Sequence, residues 1–318
     1  MDEDATVVKV LVTGASGFIG GAIVDELAKS NRYHVTATGR SAVTKWDAAA
    51  NVQYISMDLS KNLHVLSFDI CVHCAGLADD KSTEVELYDA NVRATENLLN
   101  ALEGCHTFIN ISSGSVYQFG SPNPLKEHEV PSLAPSLYGQ SKREAEKCVE
   151  SSDLERRISL RPRAVYGPGD KTLWPRFLAR IRNGNLVMPG PLSPAVSMTH
   201  VDNLVGAVIL SMEKAKPGYA VYNIADAHVY SLRDIFENIL RIVFQGKGRH
   251  KVITIPQHIL RGVVRVAKLF RVPISLSHQA IDYVTQPAVI NISAIQNDLG
   301  YSGEVKKENR PDVGDFMS

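Results

Sequence analysis

Four cysteines in 318 residues are too few for a disulfide scaffold, and their spacing offers no zinc site. Cys71-Val72-His73-Cys74 is a close pair, but no second pair completes it, and it sits inside the apolar stretch Phe68–Ala75, which reads as a buried strand. Small buried thiols are expected there, and no metal site is expected. An excess of charge is missing too: 34 basic residues balance 34 acidic ones. That argues against a nucleic-acid or polyanion binder. No apolar run approaches the ~20 residues of a membrane span. The acidic start Met1-Asp2-Glu3-Asp4 leads into no secretory apolar region, so a soluble, cytoplasmic protein is expected. Neither Gly-x-Ser-x-Gly nor His-Glu-x-x-His occurs, which removes two common hydrolase classes. There is no internal repeat and no low-complexity tract.

What the chain does have is alternation. Val7–Val12, Tyr33–Thr38, Val52–Met57, Asp69–Cys74, Thr107–Ile111 and Ile158–Leu160 read as apolar strands. Helical stretches at Ala22–Lys29, Tyr88–Leu102 and Leu137–Glu150 separate some of them. Continuously apolar strands between helices predict an α/β fold with a doubly wound parallel sheet, covered on both faces. After about Gly167 the pattern loosens into turn signals, Gly167-Pro168-Gly169 and Met188-Pro189-Gly190-Pro191, and shorter elements. Helices are expected near Pro175–Arg182, Val201–Met212 and Leu232–Phe244, with a strand at Ala220–Ile224. Residues 1–166 are therefore expected to form a Rossmann domain. Residues 167–318 are expected to form mainly a smaller substrate-binding lobe, with segments returning to the first domain. Ile259–Phe270 is amphipathic and basic, with Arg261, Arg265 and Lys268. Contact with a membrane surface is one reading, and packing on the lobe with the basic face in water is the expected one.

The chemistry begins at Thr13-Gly14-Ala15-Ser16-Gly17-Phe18-Ile19-Gly20, between the first strand and the first helix. In that context glycines at this spacing mark a dinucleotide site. Gly14 permits the tight turn, Gly17 lets a pyrophosphate approach, and Gly20 lets helix and strand pack closely. The helix N-terminus adds unpaired N–H groups and a partial positive charge. An acidic residue closing the second strand would mark NAD; here that strand ends Thr38-Gly39-Arg40-Ser41. Arg40 pairs with a 2′-phosphate where a carboxylate repels it, and Ser41 adds a hydrogen bond, so NADP(H) is preferred over NAD(H).

Two further motifs concern a carbonyl. Tyr138-Gly139-Gln140-Ser141-Lys142 places a phenol and an ammonium one helical turn apart, where the cation favours the phenolate. Such a tyrosine moves a proton to or from a carbinol oxygen. The strand Thr107–Ile111 runs into Ser112-Ser113-Gly114-Ser115, at the strand end where substrates sit in open α/β sheets. A serine there orients a carbonyl oxygen.

Taken in order, these motifs resemble the extended short-chain dehydrogenase/reductase superfamily, the NAD(P)-dependent epimerase/dehydratase family. The resemblance also runs through Met57-Asp58-Leu59, His73-Cys74-Ala75-Gly76, Asn91–Leu99, Leu160–Asp170 and Thr199-His200-Val201-Asp202-Asn203, and so spans nearly the whole chain. It implies that Tyr138 is the general acid/base, Lys142 its activator and ribose ligand, and Ser113 the carbonyl-orienting hydroxyl. It implies cofactor contacts from Gly14, Ser16, Gly17, Phe18, Ile19, Gly20, Arg40, Ser41, Asp58, Leu59, Cys74, Ala75, Gly76, Asn91, Tyr138, Lys142, Pro162 and Val165. Asp58 and Leu59 would meet the adenine, and Pro162 and Val165 the nicotinamide.

Two substrate branches compete. Nucleotide-sugar members commonly carry Asn and Arg where this chain has Ala164 and Val196. The segments Gly167–Leu178 and Ile292–Tyr301 look more like the 3β-hydroxysteroid dehydrogenase branch. The expectation is an NADP(H)-dependent enzyme interconverting a ketone and a secondary alcohol, acting on a small molecule and, by family resemblance, a homodimer. A nucleotide-sugar epimerase, dehydratase or 4-ketoreductase is the alternative, and a non-catalytic NADP-binding sensor the third reading.

Overall fold

Alternate residues of the apolar strands face opposite ways, and the inner strands bury both faces. In the computed structural model, which describes residues 7–41, 45–46, 49–79, 82–193, 195–270 and 278–317, the strands are β1 (Val8–Thr13), β2 (Tyr33–Gly39), β3 (Val52–Ser56), β4 (Ile70–His73), β5 (Thr107–Ile111), β6 (Arg156–Pro162) and β7 (Gly218–Ile224). They form one seven-stranded sheet in the order β7-β6-β5-β4-β1-β2-β3. Every neighbouring pair is parallel. Val10 and Val12 of β1 join Val72, Ile109 and the helices Phe18–Leu27 and Val201–Lys214 on one face. Leu11 joins Cys71, Phe108 and the helices Ala94–Ala101 and Leu137–Ser151 on the other. This is the Rossmann-like, doubly wound sheet that the strand pattern predicts. The chain order reverses between β1 and β4, which opens the crevice where such sheets bind ligands.

Several elements exceed or shift from their sequence-based bounds. The expected strand Ile158–Leu160 extends over Arg156–Pro162, because the arginines that interrupt its apolar run find polar partners: Arg157 donates to the Glu150 carbonyl and Arg161 to Glu146. The expected helix Tyr88–Leu102 starts earlier, at Glu84, where Thr83 and Glu86 form a capping box. It then passes through a π-helical turn, Asp89–Arg93, before Ala94–Ala101.

The smaller lobe has its own core, with Trp174, Phe177, Leu186, Met188, Phe236 and Phe316 among its members. The expected helix near Pro175–Arg182 is Leu173–Leu178. Ile181–Arg182 instead pairs antiparallel with Asn185–Gly190, across an Asn183-Gly184 turn with φ of 48° and 75°. Such a turn suits a two-residue hairpin. The Met188–Pro191 turn signal therefore falls partly in a strand, which also pairs with Val252–Pro256.

Helix Gln257–Leu269 also departs from expectation. Val264 and Ala267 face inward, but Ile259, Val263, Val266, Leu269 and Phe270 are exposed. Arg261 is held by Asp282, so the helix packs through a narrow face rather than its whole apolar side. Among the described residues no helix is long and apolar enough to cross a membrane.

Candidate active site

The residues singled out from the sequence gather along one edge of the sheet, at the carboxyl ends of its strands. Gly14 follows β1, Arg40 follows β2, Asp58 follows β3, Cys74 follows β4, Ser113 follows β5, and Pro162 ends β6.

In the glycine loop two positions are closed to any side chain. Gly14 has φ +67°, and a Cβ there would lie 2.7 Å from the Ala75 nitrogen. A Cβ on Gly20 would lie 2.4 Å from the Gly14 carbonyl oxygen, which keeps the helix tight against the loop. Gly17 is the N-cap of helix Phe18–Leu27, with no side chain capping the helix. The N–H groups of Phe18, Ile19 and Gly20 precede the first intrahelical bond, from Gly21 N–H to the Gly17 carbonyl. An uncapped helix N-terminus beside a glycine fits the diphosphate of a dinucleotide.

At the end of β2, Gly39 lies under Ser16. A Cβ on Gly39 would come within 2.7 Å of Ser16 Oγ and 2.9 Å of Tyr54 Oη. The position where an NAD-type carboxylate would stand is thus filled by its neighbours, while Arg40 is exposed. The backbone there is pinned by Tyr54, whose hydroxyl donates to the Ser41 carbonyl at 2.7 Å. Asp58 Oδ1 accepts from Ser60 Oγ and Ser60 N–H, which lowers its carboxyl pKa. Leu59 is buried, and its carbonyl accepts from Asn97.

The loop after β4 is held by a directed chain of hydrogen bonds. Thr95 Oγ1 donates to the Asn91 carbonyl at 2.6 Å, so it accepts at its other contact, from His73 Nε2. His73 Nδ1 then accepts from Thr13 Oγ1, which in turn accepts from Ala75 N–H. His73 is accordingly neutral; burial, with the nearby Lys142 charge, pushes its pKa down to about 3. Burial also raises Cys74 to about 12 and Cys71 well above the ordinary thiol range. Asn91 is buried in the π-helical turn and gives its whole amide to the protein: Oδ1 accepts from Leu77 N–H, and Nδ2 donates to the Leu77 carbonyl and Ser141 Oγ. It shapes the Cys74–Gly76 loop from behind, and a Cβ on Gly76 would strike Asn91 Oδ1 at 2.8 Å.

Helix Leu137–Ser151 docks beside the Ser113 loop through Gly139, where a Cβ would overlap the Ser115 carbonyl at 2.1 Å. That contact brings the start of the helix, with Tyr138 one residue before Gly139, up to Ser115. Ser113 Oγ accepts from Ser115 N–H at 3.1 Å, which leaves its own hydrogen to donate. Ser112, the other candidate hydroxyl, is committed to Glu146 at 2.6 Å. Lys142 is buried, and its Nζ lies 3.8 Å from where a Gly76 Cβ would be. Burial lowers its pKa to about 8, against an opposing pull from Glu146 and Cys74.

Beneath this helix lies a polar network that the sequence reading missed. Arg161 forks Glu146 through Nε–Oε1 and Nη2–Oε2 contacts of 2.7 Å each. Its Nη1 donates to Tyr117 Oη and the Glu127 carbonyl, and Tyr117 donates to Asn223 Oδ1. Glu146 stands one turn beyond Lys142 on the same helix face, a spacing that was available in the sequence.

Past β6 lies a small apolar cavity of about 20 Å³ in the lobe, lined by Leu173, Trp174, Phe177, Val196, Met198 and Ile235 among others. Arg163 and Ala164 also line it. Ala164 holds φ 47°, a left-handed conformation that Asn or Gly adopts more readily than Ala. Among the described residues no cluster of His, Cys, Asp and Glu is placed to hold a metal ion.

A family model described as the NAD dependent epimerase/dehydratase family matches residues 10–225. A UDP-glucose 4-epimerase from Vibrio cholerae is 30% identical over 247 residues, covering 72% of this chain and 74% of its own. A 2-alkyl-3-oxoalkanoate reductase from Stenotrophomonas maltophilia is 30% identical over 253 residues, covering 74% and 76%. Among solved structures, UDP-glucuronic acid 4-epimerase from Bacillus cereus in complex with NAD superposes with a TM-score of 0.73 at 22% identity, covering 96% of this chain and 97% of that one.

Proposed function

The chain belongs to the NAD-dependent epimerase/dehydratase family and is an NAD(P)-dependent enzyme of the extended short-chain dehydrogenase/reductase type; on that premise we propose that it interconverts a ketone and a secondary alcohol with NADP(H). The observation that carries this reading is that the helix bearing Tyr138 and Lys142 packs through Gly139 onto Ser115 of the Ser113 loop, on the strand edge that also bears the glycine loop.

When bound, the nicotinamide supplies or takes up the hydride. Tyr138 holds the proton that the substrate oxygen gains on reduction and loses on oxidation. Ser113 donates a hydrogen bond to that oxygen and orients the carbonyl. Lys142, close to Gly76, places its charge beside Tyr138 and favours the phenolate. Leu173, Trp174 and Phe177 of the lobe give the neighbourhood of Arg163 an apolar character that suits an apolar substrate body. The crowded Gly39 and the exposed Arg40 support NADP(H): Gly39 carries no carboxylate to repel a 2′-phosphate, and the neighbouring guanidinium is of the type that pairs with one. The resemblance to a 2-alkyl-3-oxoalkanoate reductase supports carbonyl reduction.

A nucleotide-sugar 4-epimerase is the second reading, favoured by the resemblance to the Vibrio cholerae enzyme. Against it, Ala164 and Val196 line the cavity where such enzymes commonly carry Asn and Arg. The test follows cofactor absorbance with NADPH and a panel of hydrophobic ketones, beside product analysis with UDP-glucose and UDP-glucuronic acid. Ketone-dependent NADPH oxidation that Tyr138→Phe abolishes, with cofactor binding kept, supports the reductase. Conversion of a UDP-sugar to its 4-epimer, with no ketone reduced, overturns it.

A further inference from the structure

Two residues after Arg161, which is fully engaged by Glu146, the chain buries a second guanidinium with no such partner. Arg163 is 6% exposed and lines the lobe cavity. Its Cδ lies 3.3 Å from where a Gly114 Cβ would be, which puts it one residue from Ser113. The guanidinium sits 4.8 Å from the Phe119 ring centre and 4.5 Å from that of Tyr283. Nη1 donates to Tyr283 Oη at 2.8 Å. Nε is buried with no hydrogen-bond partner, and no carboxylate pairs with Arg163 among the described residues.

A buried cation without an anion, one of its donors unmet, is costly to a fold. The Nε edge of a guanidinium matches the two oxygens of a carboxylate. We propose that Arg163 binds the carboxylate of an oxo-acid substrate. The carbonyl of that substrate lies at Ser113 and Tyr138, and its apolar chain packs toward Leu173, Trp174, Phe177 and Val196, which part to admit it, since the space they enclose is about 20 Å³. The proposal rests on the ketone–alcohol reading of the same site. One guanidinium balances one carboxylate, whereas Ala164 and Val196 add no second cation for a diphosphate.

The test measures binding before turnover. Decanoate and decanamide are titrated calorimetrically into the NADP⁺-saturated enzyme, with Arg163→Gln and Arg163→Lys alongside. Wild type binds decanoate about tenfold or more tighter than decanamide, Arg163→Gln abolishes that ratio, and Arg163→Lys keeps part of it. Because lysine keeps the charge, that variant decides the matter if the glutamine variant fails to fold. Equal binding of the two probes by wild type, or an unchanged ratio in the variants, overturns the assignment. So does an Arg163→Gln variant that loses UDP-glucose affinity while wild type ignores decanoate. A second arm compares NADPH-dependent reduction of 3-oxodecanoate with that of its methyl ester. Reduction of both at similar kcat/KM overturns the Arg163 assignment and leaves the reductase reading standing. Selective decanoate binding with neither compound reduced supports Arg163 as a carboxylate site and removes the reductase reading.

Discussion

Ser16 Oγ occupies the space that any side chain on Gly39 would enter, 2.7 Å from an added Cβ. The contact joins the glycine loop to the end of β2 and leaves Arg40 as the charged group beside it. Arg40→Ala is predicted to lower kcat/KM for NADPH by about tenfold to a hundredfold, in the range of a lost charge-assisted bond, with little change for NADH. Gly39→Asp is predicted to impair both cofactors unless Ser16 is also shortened to Gly, since the new side chain must first displace Ser16. Initial rates with the two cofactors check both statements.

Glu146→Gln removes one partner of a buried, forked pair and leaves Arg161 uncompensated. Breaking such a pair costs about 3–5 kcal/mol. Glu146 has a lowered pKa, since hydrogen bonds and charge from Arg161 outweigh its burial. Its share of stability is therefore present above the unfolded carboxylate value and is lost as pH falls through the folded one. Urea denaturation at neutral pH is predicted to show the loss. The variant also removes the charge that raises the Lys142 pKa, so the basic limb of the rate profile shifts to lower pH.

Lys142→Met is predicted to abolish turnover while raising the melting temperature. The folded pKa of Lys142 is about 8, below its ordinary value of 10.5. Folding therefore disfavours the ammonium: the penalty is full below pH 8 and fades as pH rises towards the unfolded value. Removing a penalty of about 1–3 kcal/mol raises Tm by several degrees at pH 7. A Tm that falls at pH 7 would contradict this account.

His73 gives an acid-side signature. Its folded pKa of about 3 lies below the unfolded 6.5, so the unfolded chain binds the extra proton between those values. Stability rises with pH across that window and is level above it. At pH 5 the difference from pH 7.5 is about 2 kcal/mol. His73→Gln should flatten that part of the stability curve, measured by urea midpoints at the two pH values, while lowering stability overall through loss of the Thr13–His73–Thr95 chain.

Most of the sheet was legible because a strand buried on both faces must be apolar at every position. The exceptions are instructive. β6 looked short because Arg156, Arg157 and Arg161 broke its run, and only their partners, among them Glu146 and the Glu150 carbonyl, explain how they belong in a strand. The first strand of the lobe hairpin, Ile181–Arg182, fell at the end of an expected helix, although Asn183-Gly184 signalled the turn. The exposed apolar side of Gln257–Leu269 shows the limit of periodicity: it reveals that a helix has an apolar face, but not how much of that face finds a neighbour.

Local sequence determined the glycine loop, the hydroxyl-rich strand end and the Tyr138–Lys142 turn, because each depends on backbone geometry and side-chain spacing within a few residues. Tertiary structure decided which serine is free to act, since Ser112 is taken by Glu146, 34 residues away. It also decided that Asn91 shapes a loop from behind, and that Arg161 is neutralised while Arg163 is not. Those outcomes turn on which groups share a buried space. In a low-dielectric interior a charge is stabilised by whatever lies within a few ångströms, and the fold, not the order of residues, brings those groups together.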